Sequence, residues 1–371
     1  MRTVCDKNQC TGCAACFSKC SKNAIHIEDN LKAYNAIIDE ALCVNCGQCE
    51  AVCPNNSFIS RTEPILWQQG WASDEKIRIN ASSGGLASAL AIGFIRAGGV
   101  VCSCVFEKGE FIFDFAYTEN DVKSFAGSKY VKSNPEGVYK KINKYLMDGK
   151  KVLFIGLPCQ AAAIRLYNKN HALLYTVDLI CHGTPSPVLL RMFLNEKGFD
   201  IQSLADVKFR KKAEFYLSDG NKGIEPPSVR DCYTFAFLGA LCYTEKCYSC
   251  QYAAIERVSD ITLGDSWGSQ LPEEEQKKGI SLVLCQNEKG KELLTIASLH
   301  LEDVDVERAV LNNRQLNRPS LKPAEYELFY RTIDKTKSFN KAVAKSYPKE
   351  RFRQRIKAIL VKAGLIKWIE R

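Results

Sequence analysis

Cys10-x2-Cys13-x2-Cys16-x3-Cys20 recurs 33 residues later as Cys43-x2-Cys46-x2-Cys49-x3-Cys53, closed by Pro54. Three thiolates at x2 spacing are presented by one tight loop, while the fourth, after x3, points away from it. This suits two cubane iron–sulfur clusters that exchange their last ligand. Cys10, Cys13 and Cys16 are therefore expected to share a cluster with Cys53, and Cys43, Cys46 and Cys49 one with Cys20. Soft thiolates favour iron–sulfur chemistry, and structural zinc normally uses paired knuckles rather than runs of four. Cys5 lies outside the pattern and reads as a spare thiol.

Residues 5 to 58 resemble the bacterial two-cluster ferredoxins on these cysteines. Nine of the 18 cysteines fall in the first 53 residues, and most of the others are scattered, so a domain boundary is expected near residue 60. The 371 residues suffice for two or three domains. With 46% hydrophobic and 25% charged residues, the chain is not wholly disordered. Four histidines are too few for a mostly imidazole metal site. A chain this long, opening Met-Arg-Thr-Val-Cys without an apolar leader, does not read as a secreted disulfide scaffold. A reducing cytoplasm is the expected location. The stretch Leu86 to Phe106 is broken by Arg96 and Gly98-Gly99, so it reads as helix, turn and strand, not a membrane span.

Charge is confined to one end. Lys335 to Arg371 holds 12 Lys+Arg against 2 Asp+Glu, and the rest holds 39 against 40. The net charge of +9 therefore belongs to the tail. There Phe352, Ile356, Ile359, Leu360, Ala363, Ile366 and Ile369 recur at helical spacing, with Arg353, Lys357 and Lys367 mostly on other faces and Trp368 near the end. A basic amphipathic helix of this kind suits the anionic inner face of a membrane, or packing on the body or on an acidic protein. Nucleic acid is disfavoured because no reader motif accompanies the charge.

Between the ends, helix-like and strand-like runs alternate. Strands are expected at Val100 to Phe106, Phe111 to Tyr117, Lys151 to Ile155 and Leu173 to Ile180. Helices are expected after Ser82-Ser83-Gly84-Gly85, over Val138 to Met147, and over Ala161 to Leu166. The pattern predicts an α+β or α/β chain: a small ferredoxin-like domain (1–60), a mixed-sheet α/β body (61–330) and a basic helical tail (331–371). In such sheets ligands gather beyond the strands' carboxyl ends. Two of those ends carry Gly156-Leu157-Pro158-Cys159-Gln160 and Cys181-His182-Gly183.

Cys242-x4-Cys247-x2-Cys250 supplies three more thiolates, with Cys181 or Cys285 as the fourth ligand. Spacing leaves open a four-iron cluster, a two-iron cluster, zinc or unligated thiols. Together with Ser82-Ser83-Gly84-Gly85, Gly127-Ser128-Lys129-Tyr130, Leu157-Pro158-Cys159-Gln160, Asp178 to Ser186 and Asp260-Ile261-Thr262-Leu263-Gly264-Asp265, this group resembles the coenzyme F420 hydrogenase/dehydrogenase beta-subunit family over about residues 60 to 320. The resemblance implies an oxidoreductase with FAD and a third [4Fe-4S] cluster, on Cys181, Cys242, Cys247 and Cys250.

No dinucleotide-binding fingerprint or Walker loop is present. Ser82, Ser83, Gly84 and Gly85 open a helix and offer donors to a pyrophosphate, or simply cap it. Ser128, Lys129 and Tyr130 belong to the flavin region by resemblance. Pro158 and Gln160 are candidates to face the flavin ring, with Cys159 as a redox thiol and His182 as a donor or proton relay. Phe209-Arg210-Lys211-Lys212 offers cations to an acidic cofactor tail. A flavin joins hydride carriers, which deliver electron pairs, to clusters that take single electrons. The expected function is transfer between an F420-like hydride carrier, itself a candidate substrate, and [4Fe-4S] clusters, with a ferredoxin or other redox protein as partner. The alternatives are a non-catalytic electron-transfer subunit and a membrane-associated biosynthetic reductase, for example in polysaccharide synthesis.

Overall fold

The computed structural model describes residues 2–226, 228–363 and 365. The amino-terminal region is a three-stranded antiparallel sheet, β1 (Arg2–Thr3), β2 (Ile25–Asp29) and β3 (Tyr34–Ile38), with β3 in the middle. Two short helices, α1 (Ala15–Lys19) and α2 (Gln48–Ala51), each begin just after a residue in the left-handed region, Ala14 and Gly47. Those two turns fold the two cysteine runs back on themselves.

The body is built on an eight-stranded mixed sheet. Its elements are β4 (Leu66–Ala72), α3 (Glu75–Asn80), α4 (Leu86–Arg96), β5 (Val100–Glu107), β6 (Glu110–Ala116), α5 (Tyr139–Met147), β7 (Val152–Gly156), α6 (Pro158–Tyr167), β8 (Leu174–Leu179) and α7 (Pro187–Glu196). A separate hairpin, β9 (Lys208–Lys211) and β10 (Glu214–Ser218), precedes α8 (Cys232–Leu238). The chain continues through β11 (Ile261–Asp265), α9 (Glu273–Lys278), β12 (Ser281–Cys285), α10 (Glu288–Ile296), β13 (Leu299–Asp303) and α11 (Val306–Asn312). Helices α12 (Tyr326–Thr336), α13 (Phe339–Ser346) and α14 (Pro348–Lys362) close it.

The strand order is β13-β4-β12-β11-β8-β7-β5-β6. The four strands β11, β8, β7 and β5 are mutually parallel, and antiparallel strands flank them on both sides. All of β7 is buried, as a parallel strand covered on both faces must be. Register places Gly156 of β7 opposite Asp178 of β8, so Cys159 and Cys181 each lie three residues beyond a paired position. The two loops emerge side by side at the carboxyl edge of the sheet.

The small sheet is fastened to the body by specific bonds. Ser186 Oγ donates to Asp29 Oδ2 at 2.6 Å, the Glu245 amide to the Lys32 carbonyl at 2.7 Å, and Tyr139 OH to the Cys13 carbonyl at 2.5 Å. Cys13, Ala15 and Val52 share a core with Tyr139, Phe154, Ala161 and Tyr252. The cysteine array is thereby packed directly on the sheet's carboxyl edge.

Candidate functional site

Two cavities are lined by cysteine. The first, of ≈ 430 Å³ with its open mouth, has Cys20, Cys43, Cys46 and Cys49 in its wall. The x3 cysteine of one run thus meets the x2 cysteines of the other. The complementary set, Cys10, Cys13, Cys16 and Cys53, is buried; the neighbouring Cys5 together with burial pushes the Cys10 and Cys53 thiols up, and burial pushes Cys16 up. Cys5 is not a detached spare thiol. It is buried in one core with Cys10 and Cys53, and Asn55 Nδ2 donates to its sulfur at 3.7 Å.

The second cavity, ≈ 610 Å³ with its mouth, lies beyond the carboxyl ends of β7 and β8. Cys159, Cys181, Cys247 and Cys250 line it, together with Thr11, Lys132, Pro158 and His182. All four thiols are half-buried, because they open onto this space. Burial pushes the Cys181 thiol up, reinforced by Cys247, Cys159 and Cys250. The Thr184 amide donates to Cys247 Sγ at 3.4 Å, and Thr244 Oγ1 lies 3.4 Å from the same sulfur. Two features support the loop. Gly183 has φ 137°, where a side chain is strained, and a Cβ there would stand 2.3 Å from the Tyr243 ring. Arg257 and Asp178, both fully buried, pair at 2.9 Å, and Arg257 also donates to the carbonyls of Leu179 and Tyr252.

Of the expected third quartet, Cys181, Cys247 and Cys250 line this cavity and Cys242 does not. Cys242 is wholly buried among aromatic rings, its thiol raised by burial with no cysteine among the groups acting on it. Cys285 is buried in β12, where its Sγ donates to the Asn287 carbonyl at 3.4 Å. Neither lines the cavity; Cys159 does. The signal was present in the sequence as two cysteines at equal offsets past adjacent strands, but it needed the strand pairing to be seen.

Among the described residues no group of three or more His, Cys, Asp or Glu converges closely enough for a single metal ion. Thiolates around a cubane stand farther apart, because the cluster lies between them. Donor type, number and a shared cavity therefore fit [4Fe-4S] clusters at both cavities.

The expected flavin contacts do not come together at one place. Gln160 is fully buried and acts locally: its Oε1 accepts from the Leu157 amide at 3.0 Å and its Nε2 donates to Ser133. That bond pattern caps α6, so the amide is spent. Tyr130 stacks on Phe237 at 4.4 Å inside an aromatic cluster, and Lys129 donates to the carbonyls of Phe125 and Ala126. Ser83 Oγ donates to the Ile280 carbonyl, and the Gly84 amide to Ser281 Oγ. Pro158, Cys159 and His182 instead face the thiol cavity.

Two of the expected contacts do meet. The Ser128 amide donates to Ser82 Oγ at 2.8 Å, next to the start of α4, where Gly85 leaves the helix without a side-chain cap. Beside this loop Lys212 donates to the Ser83 and Arg78 carbonyls. Burial, with Arg78, Arg210 and Lys211 close by, lowers the Lys212 pKa to about 8. Arg210 is held by Asp265 in a two-pronged pair at 2.6 and 3.0 Å. Burial lowers the His182 pKa, with Asp265 and Arg210 as its charged neighbours, and the same residue lines the thiol cavity.

The basic tail is only partly covered by the structure. Helix α14 leaves Phe352 65%, Ile356 42% and Ile359 66% exposed. Ile366, Lys367, Trp368 and Ile369 lie outside the described residues. Among the described residues no helix is long and apolar enough to cross a membrane.

The family model described as coenzyme F420 hydrogenase/dehydrogenase, beta subunit N-term, matches residues 67–138, and its C-terminus counterpart residues 149–307. A 4Fe-4S dicluster domain matches residues 9–57. An F(420)H(2) dehydrogenase component of Methanosarcina mazei is 23% identical over 282 residues, covering 70% of this chain and 78% of that protein. An uncharacterized protein of Methanocaldococcus jannaschii is 24% identical over 262 residues, covering 59% and 72%. A solved chain from the F420-reducing [NiFe] hydrogenase complex of Methanosarcina barkeri covers 71% of this chain and 97% of its own length, at 19% identity and TM-score 0.49. The chain therefore belongs to the coenzyme F420 hydrogenase/dehydrogenase beta-subunit family of oxidoreductases, with a 4Fe-4S dicluster domain at its amino-terminal end.

Proposed function

We propose that the chain passes electrons between a two-electron hydride carrier of the F420 class and a redox partner protein, through FAD and three [4Fe-4S] clusters. The observation that carries this reading is the line of thiol sets. Cys159, Cys181, Cys247 and Cys250 would hold the body cluster; Cys10, Cys13, Cys16 and Cys53 the next; Cys20, Cys43, Cys46 and Cys49 the outermost. Cys13 shares a core with Cys159 and Cys250, which keeps the first two sets adjacent. Cys46 is exposed, with Leu42 and Val44 more than half exposed beside it, and this end would meet the partner.

FAD, when bound, would supply the exchange between paired and single electrons. The uncapped start of α4, Ser82, Ser128 and the Lys212 cation suit its pyrophosphate, through helix dipole, hydroxyls and positive charge. His182 would then lie between the flavin region and the body thiols.

The test is anaerobic purification with iron and flavin quantification, followed by turnover with reduced F420, NAD(P)H or reduced ferredoxin and an artificial acceptor. About 12 iron atoms and one flavin per chain, with hydride-donor turnover, are expected. Iron without flavin, and no turnover of the isolated chain, would favour a subunit that only wires a partner enzyme. A second role is favoured by the exposed apolar face of α14 between basic residues: contact with an anionic membrane surface.

A further inference from the structure

Lys132 is 6% exposed, and among the described residues it forms no ion pair with a carboxylate. Its Nζ points at Cys159 Sγ, 3.7 Å away. Burial works against its charge, and the ionisable groups that favour it are thiols: Cys159 first, then Cys247, Cys13 and Cys181. Three of these line the body cavity, and Cys13 belongs to the buried set of the dicluster domain. Its stem lies against the first cysteine loop, with Cε 3.3 Å from where a Cβ on Gly12 would stand. Its own amide donates to the Pro185 carbonyl at 3.0 Å, in the segment after Cys181. One ammonium thus occupies the seam between two thiol sets that come from different parts of the chain.

Burying an ammonium without an anionic partner is costly, and an apolar side chain of similar length would fill the seam without that cost. The cost is offset only if negative charge is present where Nζ points. We propose that Lys132 is the fixed countercharge of the body cluster, a positioning residue that acts through Cys159 and keeps the potential of that cluster high enough to exchange electrons with the neighbouring one. This rests on the reading that Cys159, Cys181, Cys247 and Cys250 hold a cluster. Reduction adds one electron to the cluster and no atom changes place. A cation fixed beside the ligand sulfur in a weakly screened site stabilises the reduced form more than the oxidised one. Charge and hydrogen bonding at the sulfurs are recognised levers on cluster potential.

The test uses the full chain with its clusters assembled and a redox titration followed by electron paramagnetic resonance, the body signal being the one that Cys159→Ser removes. About 12 iron atoms in the unaltered chain are required first; about 8 would sink the body-cluster reading itself, before any Lys132 variant is made. Lys132→Met is expected to keep its iron but to lower the equilibrium constant for reducing the body cluster at least tenfold, ~59 mV for one electron. Lys132→Arg should stay closer to the unaltered chain than Lys132→Met does. A Lys132→Met chain with full iron and an unchanged potential would overturn the proposal. Should Lys132→Met lose the cluster, Lys132→Arg decides: retention supports a need for charge, and loss in both overturns it.

Discussion

Replacing Arg257 by methionine should unfasten the floor of the body cavity. The guanidinium makes a 2.9 Å pair with Asp178 Oδ1, a 3.2 Å bond to Thr262 Oγ1, and bonds to the carbonyls of Leu179 and Tyr252. Both side chains of the pair are sealed from solvent, at 1% and 0% exposure. Asp178 Oδ2 has no hydrogen-bond partner, and Oδ1 otherwise has only the Thr262 hydroxyl, at 2.7 Å. Removing Arg257 therefore strands a carboxylate that nothing nearby can compensate. Breaking such a pair costs ~3–5 kcal/mol, or between about two and three and a half powers of ten in the opening equilibrium. A chain with several cofactors does not unfold in one step, so the measurement is native-state hydrogen exchange at β8 and β11. Arg257→Met should lose protection by that amount, and adding Asp178→Leu should restore most of it, since no buried charge is then left unpaired. A loss below ~1 kcal/mol, or a double variant worse than the single one, would refute the reasoning.

Three further outcomes are expected. Gly183→Ala puts a methyl 2.3 Å from the Tyr243 ring at φ 137°, so the loop after Cys181 should shift, at a cost of ~1–3 kcal/mol; iron content falling by about four per chain checks it, and full iron speaks against the loop's role. Lys212 loses its proton as pH rises through about 8, so flavin retained at pH 7 should be released by pH 9, and Lys212→Gln should hold it weakly at both. Unfolding is not the cause: the unfolded chain keeps this proton up to the ordinary value of 10.5, so this lysine's contribution to stability rises with pH over that window. Replacing Phe352, Ile356 and Ile359 by serine should reduce flotation with anionic vesicles at least tenfold; unchanged flotation would leave α14 without a membrane role.

The parts legible in the sequence were those fixed by local spacing. The x2/x2/x3 runs named the cysteines that line the outer cavity, and the buried strands at 100–107, 152–156 and 174–179 stand where alternation of strand and helix placed them. The mixed sheet was expected, but not its antiparallel flanks β4, β12 and β13, whose pairing joins residues far apart in the chain. Cys242 looked like a ligand because it sits five residues before Cys247, yet its side chain belongs to the aromatic core around Tyr233 and Tyr330. Cys159 looked isolated because its neighbours arrive from β8 and from the 247–250 turn. Gln160 and Lys129 carried polar chemistry that the fold spends on a helix start and a loop, while the Tyr130 hydroxyl accepts from Arg210 beside its aromatic stack. Lys132, one buried lysine among many exposed ones, bore no local mark.

The central claim is that the body of this chain holds a third cluster, with Cys159 as a ligand. Iron analysis and electron paramagnetic resonance of the reduced full chain, comparing Cys159→Ser with Cys242→Ser, test it most directly. The account predicts about 12 iron atoms in the unaltered chain and in Cys242→Ser, with about four iron atoms and one signal missing in Cys159→Ser. Loss in Cys242→Ser with full retention in Cys159→Ser, or only about 8 iron atoms in the unaltered chain, would contradict it.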